Sequence, residues 1–313
     1  MARTIIGPGT HGAIARAVQN ALVTAGWMSA ADVDGWYGRG TSAAVSAHQS
    51  AHALSTTGIV DTDTWTSLLA GSPTPSLLQR CLDLTGAFDG HDYTLAVGKF
   101  DGAWLTWGIV GFTSKHGALS KILLEAERTC PEALRLAFAE HAEEILDVMR
   151  AKPKQQQQWA DSVTVGGGLL SEPWRTAFRT LGKSVEVQMI QQAVAASDYF
   201  QPAIETARTF GLKSELGTAL CFDIHVQNGG INKRAQSLLG DKRPAEESSL
   251  RIAMAQAVAK CARAEYRDDV LARKLTIATG SGRVHGAQYE LANWGLAEWR
   301  AEITLRAKAA RAK

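Results

Sequence analysis

The chain has 313 residues, with 33 Lys plus Arg against 31 Asp plus Glu and a formal charge of +2. Its 45% hydrophobic content excludes a largely disordered chain, and its balanced charge argues against a dedicated nucleic-acid binder. No run approaches the roughly 20 apolar residues that a membrane-spanning helix needs, so stable membrane insertion is not expected.

Four cysteines, Cys81, Cys130, Cys221 and Cys261, lie far apart with no CxxC pair. That spacing fits free thiols in a reducing compartment better than a zinc site or a disulfide framework. The N-terminal residues carry one positive charge and no apolar stretch of signal-peptide type, so synthesis in the cytoplasm is expected.

In chain order, apolar spacing predicts a helix over 13–25 with Ile14, Val18 and Leu22 on one face. A second is expected over 41–54, capped by Thr41, and a short third over 63–69, capped by Asp61 or Thr62. Gly71-Ser72-Pro73-Thr74-Pro75 reads as a linker, which divides the chain into 1–71, a linker over 72–76, and 77–313. Helices are then expected over 76–87, 117–126, 131–149, 174–196 and 202–211. Residues 216–226 form an apolar, centrally buried helix, followed by helices over 246–265, 267–275 and 289–312. Residues 93–113, rich in Gly, aromatic and β-branched types, predict a short hairpin. Residues 152–168, with four glutamines and three glycines, read as an exposed loop.

Two segments carry motifs. Asp34-Gly35-Trp36-Tyr37-Gly38-Arg39-Gly40-Thr41 is followed by Ala44-Val45 and His48-Gln49. Thr57-Gly58-Ile59-Val60-Asp61 leads into Thr64-Trp65. Together they resemble both signatures of the helical peptidoglycan-binding domain, with His48 standing where that family usually has an aromatic. The resemblance implies bacterial peptidoglycan as the partner. Trp36 and Tyr37 are candidate substrate contacts, because their flat faces suit sugar rings. The alternative for Tyr37 and Trp65 is a place in the small core.

The second segment holds Asp89 after a predicted helix, then Asp101-Gly102-Ala103-Trp104-Leu105-Thr106-Trp107-Gly108-Ile109-Val110-Gly111-Phe112. Two carboxylates flanking a turn-rich stretch suit glycoside hydrolysis, which needs one protonated and one ionised acid. Asp-Gly is also an ordinary turn dipeptide. The stretch resembles the catalytic region of chitosanases of glycoside hydrolase family 46, in the lysozyme-like superfamily. The resemblance implies Asp101 as general base, Thr106 as the holder of the attacking water, and Asp89 as general acid, with Asp92 the alternative donor. It departs from the family in offering Asp rather than Glu as the acid and in a shorter stretch between the carboxylates. Asp223, Asn228-Gly229 and the Arg283 loop resemble later parts of that family. Asn228, Arg283 and the aromatic Trp104 are candidate substrate-binding residues, and Arg283 a candidate buttress of the carboxylates.

The histidines show no HExxH or HxH spacing, so neither a metal nor another cofactor is expected. The expected protein is mainly α: a three-helix peptidoglycan-binding bundle linked to a two-lobed, lysozyme-like helical domain with a small β element. The expected activity is an inverting muramidase that cuts between N-acetylmuramic acid and N-acetylglucosamine. It would be a monomeric phage-type endolysin released from the host cytoplasm through membrane holes to reach the periplasmic wall. The rivals are an effector of a contractile secretion system, a chitosanase, and a non-catalytic wall-binding protein that has lost its acid.

Overall fold

The computed structural model describes residues 2–99, 102–240 and 243–301. The fold is mainly helical, as expected. Near the N-terminus, β1 (Thr4–Ile6) pairs antiparallel with β2 (Val60–Asp61) around α1 (Ala13–Thr24) and α2 (Arg39–Ala51), and α3 (Thr62–Leu68) follows. Asp61 caps α3 by accepting from the Thr64 N–H at 2.8 Å. Thr41 is not a cap. The helix starts earlier, Gly38 occupies the cap position, and Thr41 is buried inside α2 with its hydroxyl accepting from Gln19.

Two buried glutamines explain the motif spacing. The Gln19 amide oxygen accepts from Gly35 N, and its NH2 donates to Asp34 and to the Trp36 carbonyl. Gln49 accepts from Thr57 N and Gly58 N and donates to the Ile59 carbonyl. Each glutamine thereby satisfies the backbone of a loop that forms no ladder, where an unpaired buried group would cost about 1–3 kcal/mol.

The middle of the chain runs α4 (Leu77–Asp89), β3 (Ala96–Val97), β4 (Thr106–Trp107), β5 (Phe112–Thr113), α5 (Ala118–Thr129), α6 (Pro131–Phe138), α7 (Ala142–Arg150), α8 (Pro153–Val163), β6 (Thr164–Val165), β7 (Leu169–Leu170), α9 (Trp174–Leu181), α10 (Val185–Ala195) and α11 (Gln201–Phe210). The expected hairpin is a three-stranded antiparallel sheet in the order β3-β4-β5. Three expectations fail here. The 131–149 helix is broken at Ala139, whose φ is 47°. The 174–196 helix is broken at Gly182, where a Cβ would fall 2.2 Å from the Tyr93 carbonyl oxygen. Residues 153–163 form a helix rather than a loop: Gln156 turns inward with Ala160 and Val163 and donates to the carbonyls of Met149 and Ala151. Glutamine is a good helix former, and the polar run concealed that inward face.

The last part holds α12 (Glu215–Asn228), α13 (Lys233–Leu239), α14 (Glu247–Cys261), α15 (Arg267–Thr279), β8 (Ser281–Val284) and β9 (Ala287–Glu290). The expected terminal helix is corrected over its first residues, where β9 pairs with β8 and a short 3-10 turn spans Leu291–Trp294. Its remainder, 302–312, lies outside the described residues. The first ten residues of α12 are buried, as the apolar run predicted.

The chain forms two compact units. One comprises Met1–Thr10, Ala15–Cys81 and Ala203–Lys313, the other His11–Ile14 and Leu82–Pro202. In the first, the N-terminal segment is joined to the C-terminal third by many bonds. Asn293 accepts at its carbonyl from Gly7 N (2.8 Å) and the Thr10 hydroxyl (2.7 Å), and its amide donates to the Pro8 carbonyl (2.8 Å). Glu215 receives a two-pronged pair from Arg80, each contact 3.0 Å, and a further contact from Arg3. The cysteines are free thiols, with Cys81 and Cys221 buried.

Candidate active site

Within the second unit, α4 ends at the exposed Asp89. Gly90, at φ 66°, turns the chain out of the helix, and His91 N donates back to the Gly86 carbonyl at 2.8 Å. Asp92 is committed to the next turn, since one carboxylate oxygen accepts from Thr94 N, the Thr94 hydroxyl and Leu95 N at 2.7–2.9 Å. Asp101 lies outside the described residues. Thr106 is half-buried at the start of β4, with Val97 and Thr113 as its cross-strand neighbours.

The turn between β4 and β5 brings Thr106 close to the end of α4. The Gly108 carbonyl accepts from Gly111 N (2.9 Å) and from Nδ1 of His91 (3.1 Å). A carbonyl can only accept, so His91 carries its proton on Nδ1. A Cβ on Gly111, itself at φ 65°, would lie 3.1 Å from the Thr106 methyl and 3.2 Å from the His91 ring. One on Gly108 would collide with the Gln191 amide, which accepts from Ile109 N. The Gly-Ile-Val-Gly spacing is therefore a close-packing requirement that sets the Thr106 strand against the Asp89 turn.

Trp104 is half-buried with φ at 69°, a conformation that is strained for a bulky side chain by about 1–3 kcal/mol. Asp83 was passed over in sequence. It sits on α4 at only 6% exposure, between Leu82 and Leu84. An acid inside an apolar helical stripe is the signal that would have found it, because carboxylates are seldom buried without a role.

In the first unit, Asp223 on α12 is fully buried with Arg273 and Lys274 of α15. Arg273 donates to it at 2.7 Å, and Lys274 also reaches the Gln227 amide oxygen at 2.6 Å. Burial alone would raise the Asp223 pKa, but the two facing cations override it and hold the carboxyl well below its usual range. Arg283 is exposed on β8, and no carboxylate partner is seen for it among the described residues, whereas Arg273 is paired with Asp223. Asn228 ends α12 half-buried, its amide oxygen without a hydrogen-bond partner among the described residues. In the N-terminal region Trp36 is 47% exposed. Tyr37 is fully buried and donates to the Gly58 carbonyl, which makes it a core residue rather than a substrate contact.

Comparison with known families matches residues 11–68 to a peptidoglycan binding domain and residues 89–257 to glycosyl hydrolase family 46. The second match covers more than half of the chain. The chain belongs to glycosyl hydrolase family 46. It is thus a modular family 46 glycosidase with an N-terminal peptidoglycan-binding domain.

Solved structures similar to this family 46 chain include the native chitosanase of Bacillus subtilis MY002, at 19% identity, with a TM-score of 0.52 over 70% of this chain and 98% of that one. A mutant of that enzyme complexed with 6 GlcN matches at 19% identity over the same shares, with a TM-score of 0.51. At this identity the likeness establishes the fold. No curated protein matches the chain. Among the described residues there is no cluster of metal-ligating side chains, and no helix is long and apolar enough to cross a membrane.

Proposed function

We propose that this family 46 glycosidase is a peptidoglycan muramidase that hydrolyses the β-1,4 bond between N-acetylmuramic acid and N-acetylglucosamine with inversion. The observation that carries the reading is the peptidoglycan-binding domain in the same chain, which holds the glycosidase at a high local concentration of wall polymer. Asp89 donates the proton to the leaving oxygen, Asp101 deprotonates a water on the opposite sugar face, and Thr106 positions that water. Support for Asp89 is its place at the end of α4, on the turn that His91 ties to the Thr106 strand. An Asp reaches one methylene less than Glu, and misplacement of about 1 Å costs on the order of 100-fold, so the close glycine packing of this turn suits the shorter acid. Asp83, buried on the same helix, is the second candidate. The protein acts as a monomer on the wall after release from the cytoplasm through membrane holes, as an endolysin does.

The test is a digest of purified peptidoglycan with fragment mass spectrometry before and after borohydride reduction. Reducible N-acetylmuramic acid ends support the reading, and reducible N-acetylglucosamine or 1,6-anhydro ends refute it. Asp89→Asn and Asp83→Asn identify the donor, and Asp101→Asn should abolish cleavage while leaving wall binding intact. A second reading, chitosanase, is favoured by the structural neighbours, which are chitosanases. It predicts turnover of soluble chitosan and little release from walls.

A further inference from the structure

The peptidoglycan-binding domain contains a cleft of about 760 Å³ between the start of α2 and the segment around Ser29–Asp32. That volume lies within the range of roughly 300–1,000 Å³ typical of small-ligand sites. Two tryptophans, Trp27 and Trp36, line it. So do two exposed carboxylates, Asp32 and Asp34, and the small residues Ala43 and Ala47 of α2. We propose that this cleft holds a disaccharide of the glycan strand, not the peptide stem. The inference rests on the wall-binding reading of this domain and names the part of the wall it recognises.

The chemistry of the lining makes the choice. Trp36 offers an exposed aromatic face, and Trp27 is braced edge-on by His48 and His52 at ring distances of 6.1 and 6.4 Å. Indole faces suit the C–H faces of pyranose rings, and the alanine wall leaves room for a flat ring and an N-acetyl methyl. Asp34 accepts from the Gln19 amide and from Trp36 N, and these bonds hold its carboxyl below its ordinary range. It is therefore anionic wherever walls are intact. Carboxylates accept from sugar hydroxyls, whereas a peptide stem would bring its own carboxylates against Asp32 and Asp34. The stem's excess of carboxylates over ammonium groups opposes its entry past these two side chains.

The experiment uses the full chain and measures co-sedimentation with intact peptidoglycan and with the same material stripped of stems by an amidase. Trp fluorescence is titrated with soluble N-acetylglucosamine oligomers and with a synthetic stem pentapeptide. Quenching by the oligomers alone is expected, with retention on both polymers at about 500 mM salt, where the lactyl carboxylate that the amidase frees on each muramic acid is screened from Asp32 and Asp34. Trp36→Ala, with an unchanged melting temperature as the check on folding, should weaken both by about tenfold or more, equivalent to about 1.4 kcal/mol. On intact walls retention should change little between about 50 and 500 mM salt, because the muramic acid lactyl group is there an amide and the disaccharide is uncharged. Retention lost on stripped glycan at about 500 mM salt, or quenching by the pentapeptide, overturns the choice of glycan. Wild-type retention by Trp36→Ala overturns the choice of cleft. No sedimentation of the wild type with intact walls refutes the wall-binding reading itself, a different result from either.

Discussion

Replacing Glu215 by Gln tests how α12 is held to α4. Glu215 is 1% exposed, and Arg80, its two-pronged partner, is 5% exposed at its side chain. Arg3 adds a contact from a side chain that is 27% exposed. Removing one partner of a buried pair leaves an uncompensated charge and costs about 3–5 kcal/mol. For a unit of this size, about 2–4 °C of melting temperature is lost per kcal/mol, so a fall of about 6–20 °C is expected by calorimetry. Arg3→Ala should cost clearly less, since water already reaches that guanidinium. The coupling between Glu215→Gln and Arg80→Met in a double-mutant cycle should be large, because Arg80→Met removes the buried charge that Glu215→Gln leaves without its partner. A loss below about 2 °C for Glu215→Gln, with no coupling to Arg80, would refute the claim that this pair joins α4 to α12.

His91→Ala should lower turnover on the wild type's substrate by about 10- to 100-fold with KM nearly unchanged, whereas His91→Asn, which can donate to the Gly108 carbonyl, should recover most of it. Nitrogen NMR should find the proton of the neutral ring on Nδ1, and a proton on Nε2 would contradict the geometry. Burial, then the neighbouring His52, lowers the pKa of His48 below its usual 6.5. The folded state therefore binds protons less readily than the unfolded chain. Its stability is complete above about pH 6.5 and is lost as pH falls through the depressed value. His48→Phe should flatten that acid loss in a melting-temperature series from pH 7.5 to 5, and an unchanged slope would refute the assignment. Trp104→Gly should relieve the strain at φ 69° and leave or raise thermal stability while weakening substrate affinity. A large fall in stability would instead make Trp104 a packing residue.

The sequence by itself determined the elements whose partners lie close in the chain. Gln49, Gly58 and Asp61 act within about a dozen residues of one another, so their spacing records one turn and one cap. The Gly108–Gly111 spacing announced a tight sheet turn in the same way. The buried helix α12 was visible because most of its Leu216–Ile224 run is apolar. Tertiary structure alone decided the charges. Asp223 meets Arg273 across 50 residues and Glu215 meets Arg3 across 212, and nothing in the local sequence names either partner, even at Asp223, which the family resemblance singles out. The glutamine run of α8 likewise hid an inward face that exists only when Gln156 reaches the Met149 carbonyl. Periodicity and turn chemistry are local and leave a mark at fixed spacing. The desolvation that makes a buried charge need its partner arises only after distant segments have packed together.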